Sequence, residues 1–146
     1  LDSTGVHLWV VLWKAYEAVR EHAHRHIAGL GLGLSGFAAL EALLHKGPLP
    51  VNAIGAKVGL TSGSISVAVD RLVEKGLVER RGDSADRRTR LVHLTPKGRA
   101  LIERAFAGHA EAMERATSGL TARERAQAIA LLKKLGTAAA ATLPPA

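Results

Sequence analysis

At Gly76 the spacing of apolar residues changes, and that change limits the possible folds more than any other feature of the chain. Before it, Ile65, Ala68, Val69, Leu72 and Val73 recur at three- and four-residue steps and form the buried stripe of one helix. After it, "LVERR" and "TRLVHL" alternate as strands do, on either side of "GDSAD", a run of turn formers. Residues 77–94 therefore read as a hairpin with a long tip, joined to the helix through a glycine stop.

The rest of the chain is punctuated as helices. Trp9, Leu12, Trp13, Tyr16, Val19, Ala23 and Ile27 mark a first helix, which the glycine-rich "GLGLGLSG" ends. Ser35 is expected to cap a second helix carrying Phe37, Leu40, Leu43 and Leu44, stopped at "KGP". Asn52 is expected to open a short third helix that Gly59 closes, and Thr61 or Ser62 caps the fourth. Thr95 followed by Pro96 starts the next helix, with the proline where no backbone donor is missed. Leu101, Ile102, Ala105 and Phe106 give it an apolar face. "TARE" at 121–124 is a capping box for a last helix with Ile129, Leu132 and Leu135 to bury, and the tail "TAAAATLPPA" is expected to fray.

The predicted fold is mainly α with a small β-hairpin wing, in one domain spanning residues 1–146. Two short helices, a tight glycine turn and a hairpin make a winged helix-turn-helix over residues 35–99. Residues 1–34 and 100–142 supply long terminal helices expected to dimerise. A composition of 47% hydrophobic and 23% charged residues suits a folded protein rather than a disordered tail. With no cysteine there is no disulfide framework and no thiolate chemistry. The apolar start "VHLWVVLWKAYEAV" is broken by Lys14 and Glu17, too early for a span of about 20 residues, so a soluble, cytoplasmic chain without membrane contact is expected.

Charge says what the hairpin faces. The chain carries 20 Lys and Arg against 13 Asp and Glu, a net +7, and from Arg80 to Arg99 seven basic residues oppose only Asp83 and Asp86. Most of the excess thus sits on the hairpin, a footprint suited to a polyanion. The major groove of double-stranded DNA admits one helix, read through side chains near its N-terminal end. Here those are Thr61, Ser62, Ser64, Ser66 and Val67, with Arg71 a turn later. Small hydroxyls allow close approach, and a helix N-terminus favours phosphate.

The stretch "GLTSGSISVAVDRLVEKGLVERRGDSADRRTRLVHLTPKGRAL" resembles the MarR (multiple antibiotic resistance regulator) family of transcription factors. That family's pattern is a recognition helix, "RLxxxGLVxR", a wing "DxRxxxVxLTxxG" and a long helix. Arg71, Leu72, Gly76, Leu77, Val78, Arg80, Asp86, Arg88, Leu94, Thr95 and Gly98 fall in that order. The resemblance implies a homodimeric regulator, in the repressor sense, on an inverted-repeat operator, often released by a small phenolic or aromatic acid. It also implies that Arg88 or Arg87 enters a minor groove, with Arg81 and Arg90 beside it, and that Asp86 orients Arg90 or Arg88. An effector pocket would draw on Trp13, Tyr16, Phe37 and Leu40 where the terminal helices meet the winged lobe. The alternative is a winged-helix module for protein contact or for sensing a metal or small molecule, with DNA contact incidental.

Three other motifs fit bland readings better. Gly31, Gly33 and Gly36 satisfy G-x-G-x-x-G, but a helix precedes them and no acidic residue follows about 20 positions on, so they are a helix-to-helix linker rather than a dinucleotide site. His22 and His26 have metal-ligand spacing and would need a third ligand such as His109 or Glu21, so a solvated helix surface is the expectation and no metal or other cofactor is assigned. Asp83 and Asp86 lie among arginines that hold them ionised, which leaves no proton donor near working pH and no enzyme.

Overall fold

The computed structural model describes residues 3–82, 88 and 90–144. Among them are six helices and three strands in the order α1 (Thr4–Ala28), α2 (Leu34–Lys46), β1 (Leu49–Pro50), α3 (Val51–Val58), α4 (Ser62–Glu74), β2 (Val78–Gly82), β3 (Arg90–Leu94), α5 (Pro96–Ala116) and α6 (Ala122–Ala141). This is a mainly helical winged helix-turn-helix with a small antiparallel wing.

The core lies between α2, α4, the sheet and the first half of α5. Phe37, Leu40 and Leu43 of α2, Ile54 of α3 and Ile65, Val69 and Leu72 of α4 are buried together with Leu77, Val78, Val92 and Ile102. Removing these side chains from water supplies most of the drive to fold, about 1.5–3 kcal/mol for each large one. Gly76 adopts φ 69°, a left-handed conformation that a residue with a Cβ reaches only at a cost, and so turns the chain from α4 into the wing. Three bonds pin this turn: Thr95 Oγ1 donates to the Gly76 carbonyl at 2.7 Å, Lys97 Nζ to the Lys75 carbonyl at 3.1 Å and Lys75 Nζ to the Gly31 carbonyl at 2.7 Å.

The expected caps are realised at three helices. Thr61 rather than Ser62 caps α4, accepting from Ser64 N at 3.2 Å. Thr95 accepts from Gly98 N at 3.0 Å, and Thr121 and Glu124 close a reciprocal capping box. Elsewhere the structure corrects the sequence reading. α2 starts one residue before Ser35, at Leu34, because an extended Gly33 takes the cap position without a side-chain bond. α3 starts at Val51 rather than Asn52, since Leu49 and Pro50 form a third strand that pairs with β3 at Val92 and Leu91. The strand order is β1-β3-β2, which puts Pro50 on an edge where its missing N–H costs nothing. Val73, expected in the buried stripe, is exposed, because it sits on the flank of α4, about a quarter-turn from the line of Ile65, Ala68, Val69 and Leu72. The tail does not fray at Thr137: α6 continues through Ala141, as an alanine run with the highest helix propensity allows.

α1 packs along α5, which also carries α2. α6 is tied back to α5 by the Arg125–Glu114 ion pair, yet not one of its residues is buried. No helix among the described residues is long and apolar enough to cross a membrane.

Candidate nucleic-acid interface

α4 turns Ile65, Ala68, Val69 and Leu72 into the core and leaves Thr61, Ser62, Ser64, Val67 and Arg71 exposed, with Ser66 half-buried at the edge. The N-terminal half of the helix carries no charged side chain from Thr61 to Val69. The first-turn N–H groups, which lack partners within the helix and of which Ser64 N is taken by the Thr61 cap, give that end a partial positive charge. Of the α4 residues expected to meet DNA, all but Ser66 are thus open to solvent. The Ser64 hydroxyl is partly engaged, since Thr61 Oγ1 donates to it at 3.0 Å.

The wing stands beside that surface. β2 and β3 pair in the register Val78↔Leu94, Arg80↔Val92 and Gly82↔Arg90, so alternate side chains face the core and solvent. Val78 and Val92 are buried, while Arg81, Arg88 and Arg90 are exposed. Arg81 pairs with Glu79 on its own strand. Arg80 reaches across to α4 and bonds Asp70 at 2.6 Å, a link that sequence spacing does not reveal. Arg87, Asp83 and Asp86 lie outside the described residues.

At the other end of the molecule, aromatic residues separate into two environments. Trp13 and Tyr16 stand in solvent on α1, whereas Phe37 and Leu40 are core residues of α2, so one protomer does not bring the four together. Phe37 instead stacks against His109 of α5, with ring centroids 4.8 Å apart. Burial pushes the His109 pKa down, against an opposing pull from Glu41, and His26 lowers it further. His109 Nδ1 is buried without a hydrogen-bond partner among the described residues. His26 lies 6.1 Å from His109 between ring centroids and turns its Nε2 to the Ala105 carbonyl at 3.1 Å. That bond requires the N–H on Nε2. The imidazole rests on Gly108, where a Cβ would lie 2.6 Å from the ring.

The metal-spaced pair is thereby split. His26 faces α5, His22 is exposed, and Glu21 is bonded to Arg25 at 2.7 Å. No group of three candidate ligands gathers among the described residues. Of the three glycines of the dinucleotide-like motif, Gly31, at φ 70°, and Gly33 form the turn from α1 into α2, and Gly36 lies inside α2.

Comparison with known proteins agrees with this geometry. Residues 30–89 match the MarR family model. The chain is 38% identical to the HTH-type transcriptional regulator MhqR of Bacillus subtilis, over 93% of this chain and 94% of that one. Mutant MarR of E. coli in complex with operator DNA superimposes with a TM-score of 0.82 at 25% identity, covering 92% of this chain and 97% of that one. BpsR of Bordetella bronchiseptica, whose DNA binding is regulated by 6-hydroxynicotinic acid, gives 0.81 at 27% identity over 89% and 98% of the two chains. The fold is thus shared with these proteins, and the chain belongs to the MarR family of winged helix-turn-helix, DNA-binding transcriptional regulators.

Proposed function

We propose that this transcriptional regulator, which is not an enzyme, works as a homodimeric repressor on an inverted-repeat operator in the cytoplasm. The observation that carries the reading is α6: twenty residues of helix without one buried side chain. Helices hold their form mainly through a packed apolar face, and an exposed one of this size asks for a partner. Ile129, Leu131 and Leu132 face solvent on α6, and Val6, Trp9 and Trp13 do so on α1. Leu8, Trp9, Leu12, Leu132 and Leu135 already line a groove of about 320 Å³ between the two helices. A second copy would cover both stripes at once.

In this reading residues 1–34 and 100–142 dimerise and residues 35–99 bind DNA. Two-fold symmetry then sets the two α4 helices about 34–36 Å apart, one turn of DNA or a multiple of it, over a palindrome. Thr61, Ser62, Ser64, Ser66, Val67 and Arg71 meet the major groove. Arg88 or Arg87 enters the neighbouring minor groove, flanked by Arg81 and Arg90, with Asp86 orienting an arginine. A dimer seated across an operator excludes other proteins from that DNA, which favours repression.

The ligand response is supported by BpsR, whose DNA binding responds to an aromatic acid, and by the aromatic seam of Phe37 and His109 where α1, α2 and α5 meet. An aromatic acid wedged there against Phe37 and Leu40, with Trp13 and Tyr16 brought to it only by a rearrangement or by a second copy, would alter the angle between the terminal helices and the winged lobe.

The test combines sedimentation with mobility shift on the DNA flanking the protein's own gene. A dimeric mass at micromolar concentration and a shifted band that weakens with 6-hydroxynicotinate or a related phenolic acid are expected. A monomer with intact helices would end the dimer reading, and DNA binding indifferent to such acids would end the effector reading.

A further inference from the structure

Along α4 the buried residues Ile65, Ala68, Val69 and Leu72 fix the inner line of the helix. At about 3.6 residues per turn, the opposite line carries Gly63, Val67, Asp70 and Glu74. This line is unusual at two consecutive places. Gly63 sits in the first turn with nothing within 4 Å of where a Cβ would stand, and its φ is not left-handed. The fold therefore has no need of glycine there, although glycine is a weaker helix former than alanine. One turn on, Val67 is 51% exposed, an apolar and β-branched residue at the crest of a helix whose other exposed side chains are polar or charged up to Val73. Both choices make sense if a surface closes on this line: the missing side chain allows the backbone to approach, and the valine supplies an apolar contact.

From this we infer that Val67 reads the C5 methyl group of a thymine in each operator half-site, with Gly63 giving the clearance that brings it there. The inference rests on the proposed placement of α4 in the major groove. Thymine's methyl is the apolar element in the pattern that base edges present there, and the other signals are hydrogen-bond donors and acceptors. Val67 can make no hydrogen bond through its side chain. Its neighbours contact DNA in another way or are tied up: the Ser64 hydroxyl, which accepts from Thr61 Oγ1, keeps its own hydrogen to donate, and Asp70 is held by Arg80. The preference at the base pair that Val67 meets is thus steric and apolar rather than coded by a hydrogen bond.

The experiment uses the full chain and an operator duplex selected from a random-sequence pool. Each thymine is replaced in turn by deoxyuridine, which removes the methyl and leaves the base-pairing edge unchanged. One position per half-site should then lose about three- to five-fold in affinity, the worth of one buried methyl. Val67→Ala should bind the thymine duplex at that reduced level and no longer distinguish thymine from uracil. The fold should be untouched, because the side chain is exposed and alanine favours helix. Gly63→Ala should melt no lower than the parent and yet lose operator affinity.

Interference by N7-methylguanine in the same half-site is read in parallel, since that modification crowds the major groove. Interference by N7-methylguanine with no response to any uracil, or an unchanged uracil response in Val67→Ala, would overturn the Val67 assignment alone. No interference at any guanine of a selected site would overturn the groove placement and the inference together.

Discussion

The Arg80 guanidinium donates to the Asp70 carboxylate at 2.6 Å and so fastens the first long strand of the wing to the reading helix. Asp70 is 60% exposed and Arg80 29%, so the pair contributes little to stability, about 0–1 kcal/mol. Its effect is expected in DNA binding. Arg80→Ala would leave Asp70 unneutralised on the face proposed to meet DNA, and would loosen the wing against α4. We expect a stability loss below about 1 kcal/mol in urea melts and a larger loss of operator affinity. Adding Asp70→Asn should restore much of that affinity. Simple additivity of the two substitutions in a double-mutant cycle would show that they do not act as a unit.

Gly98 is fixed by contact rather than by backbone conformation. It lies in the first turn of α5, directly under the turn that follows α4, and a Cβ there would stand 1.9 Å from the Leu77 carbonyl oxygen. That oxygen already accepts from Thr95 N at 3.1 Å and cannot retreat freely. Gly98→Ala should destabilise by the upper part of the range for overpacking, about 1–3 kcal/mol, or by more. Gly119→Ala is the control, with nothing within 4 Å of its Cβ position. Equal melting temperatures for the two variants would show that α5 can shift away at no cost.

These two contacts show what a sequence conceals. Arg80 and Asp70 are ten positions apart on different elements, and the burial of Gly98 depends on where Leu77 lands. By contrast, the caps at Thr61, Thr95 and Thr121 were legible because they act within one helical turn. So were the buried stripe of α4 up to Leu72 and the hairpin, whose periods span enough residues to register. β1 was not, since two residues cannot display alternation. At α2 a serine stood close to the true start, but Gly33 had the extended backbone that the cap position needs. Val73 followed the helical period and still lies exposed, because the period gives the face and the neighbouring elements decide how much of it is covered. The seam of His26, Phe37 and His109 joins α1 and α2 to the distant α5, and helical periodicity carries no trace of it.

That seam predicts a pH response. Burial lowers the pKa of His109 below its ordinary value of 6.5, so the folded protein holds fewer protons there than the unfolded chain. Stability is therefore full above the unfolded value and falls as pH drops from about 6.5 toward the lowered folded value. Glu124, held down by the Thr121 backbone N–H, and Glu21, held down by Arg25, lose their stabilising contribution only as pH falls below the carboxylate range, so the windows separate. His109→Phe should flatten the dependence of melting temperature on pH between 6.5 and 5 relative to the parent, in the range about which the imidazole titrates. An unchanged slope would assign that titration to other histidines.

The wing and the helix should differ in how salt governs their contacts. If Arg88 neutralises a phosphate-rich minor groove, Arg88→Ala should weaken binding to all sequences by similar factors and reduce the slope of log affinity against log salt by about 0.9. Ser64→Ala should leave the slope nearly unchanged and relax the preference at a particular base pair, at a cost of about 1–3 kcal/mol there. Asp86→Ala separates a fitted wing from a diffuse positive surface. Deleting a negative charge should tighten binding to a polyanion if charge alone matters. We expect weaker binding at matched salt, because an arginine that loses its orienting carboxylate must be ordered at each encounter. Tighter binding by the Asp86→Ala protein, with helicity intact by circular dichroism, would reduce the wing to a cloud of positive charge.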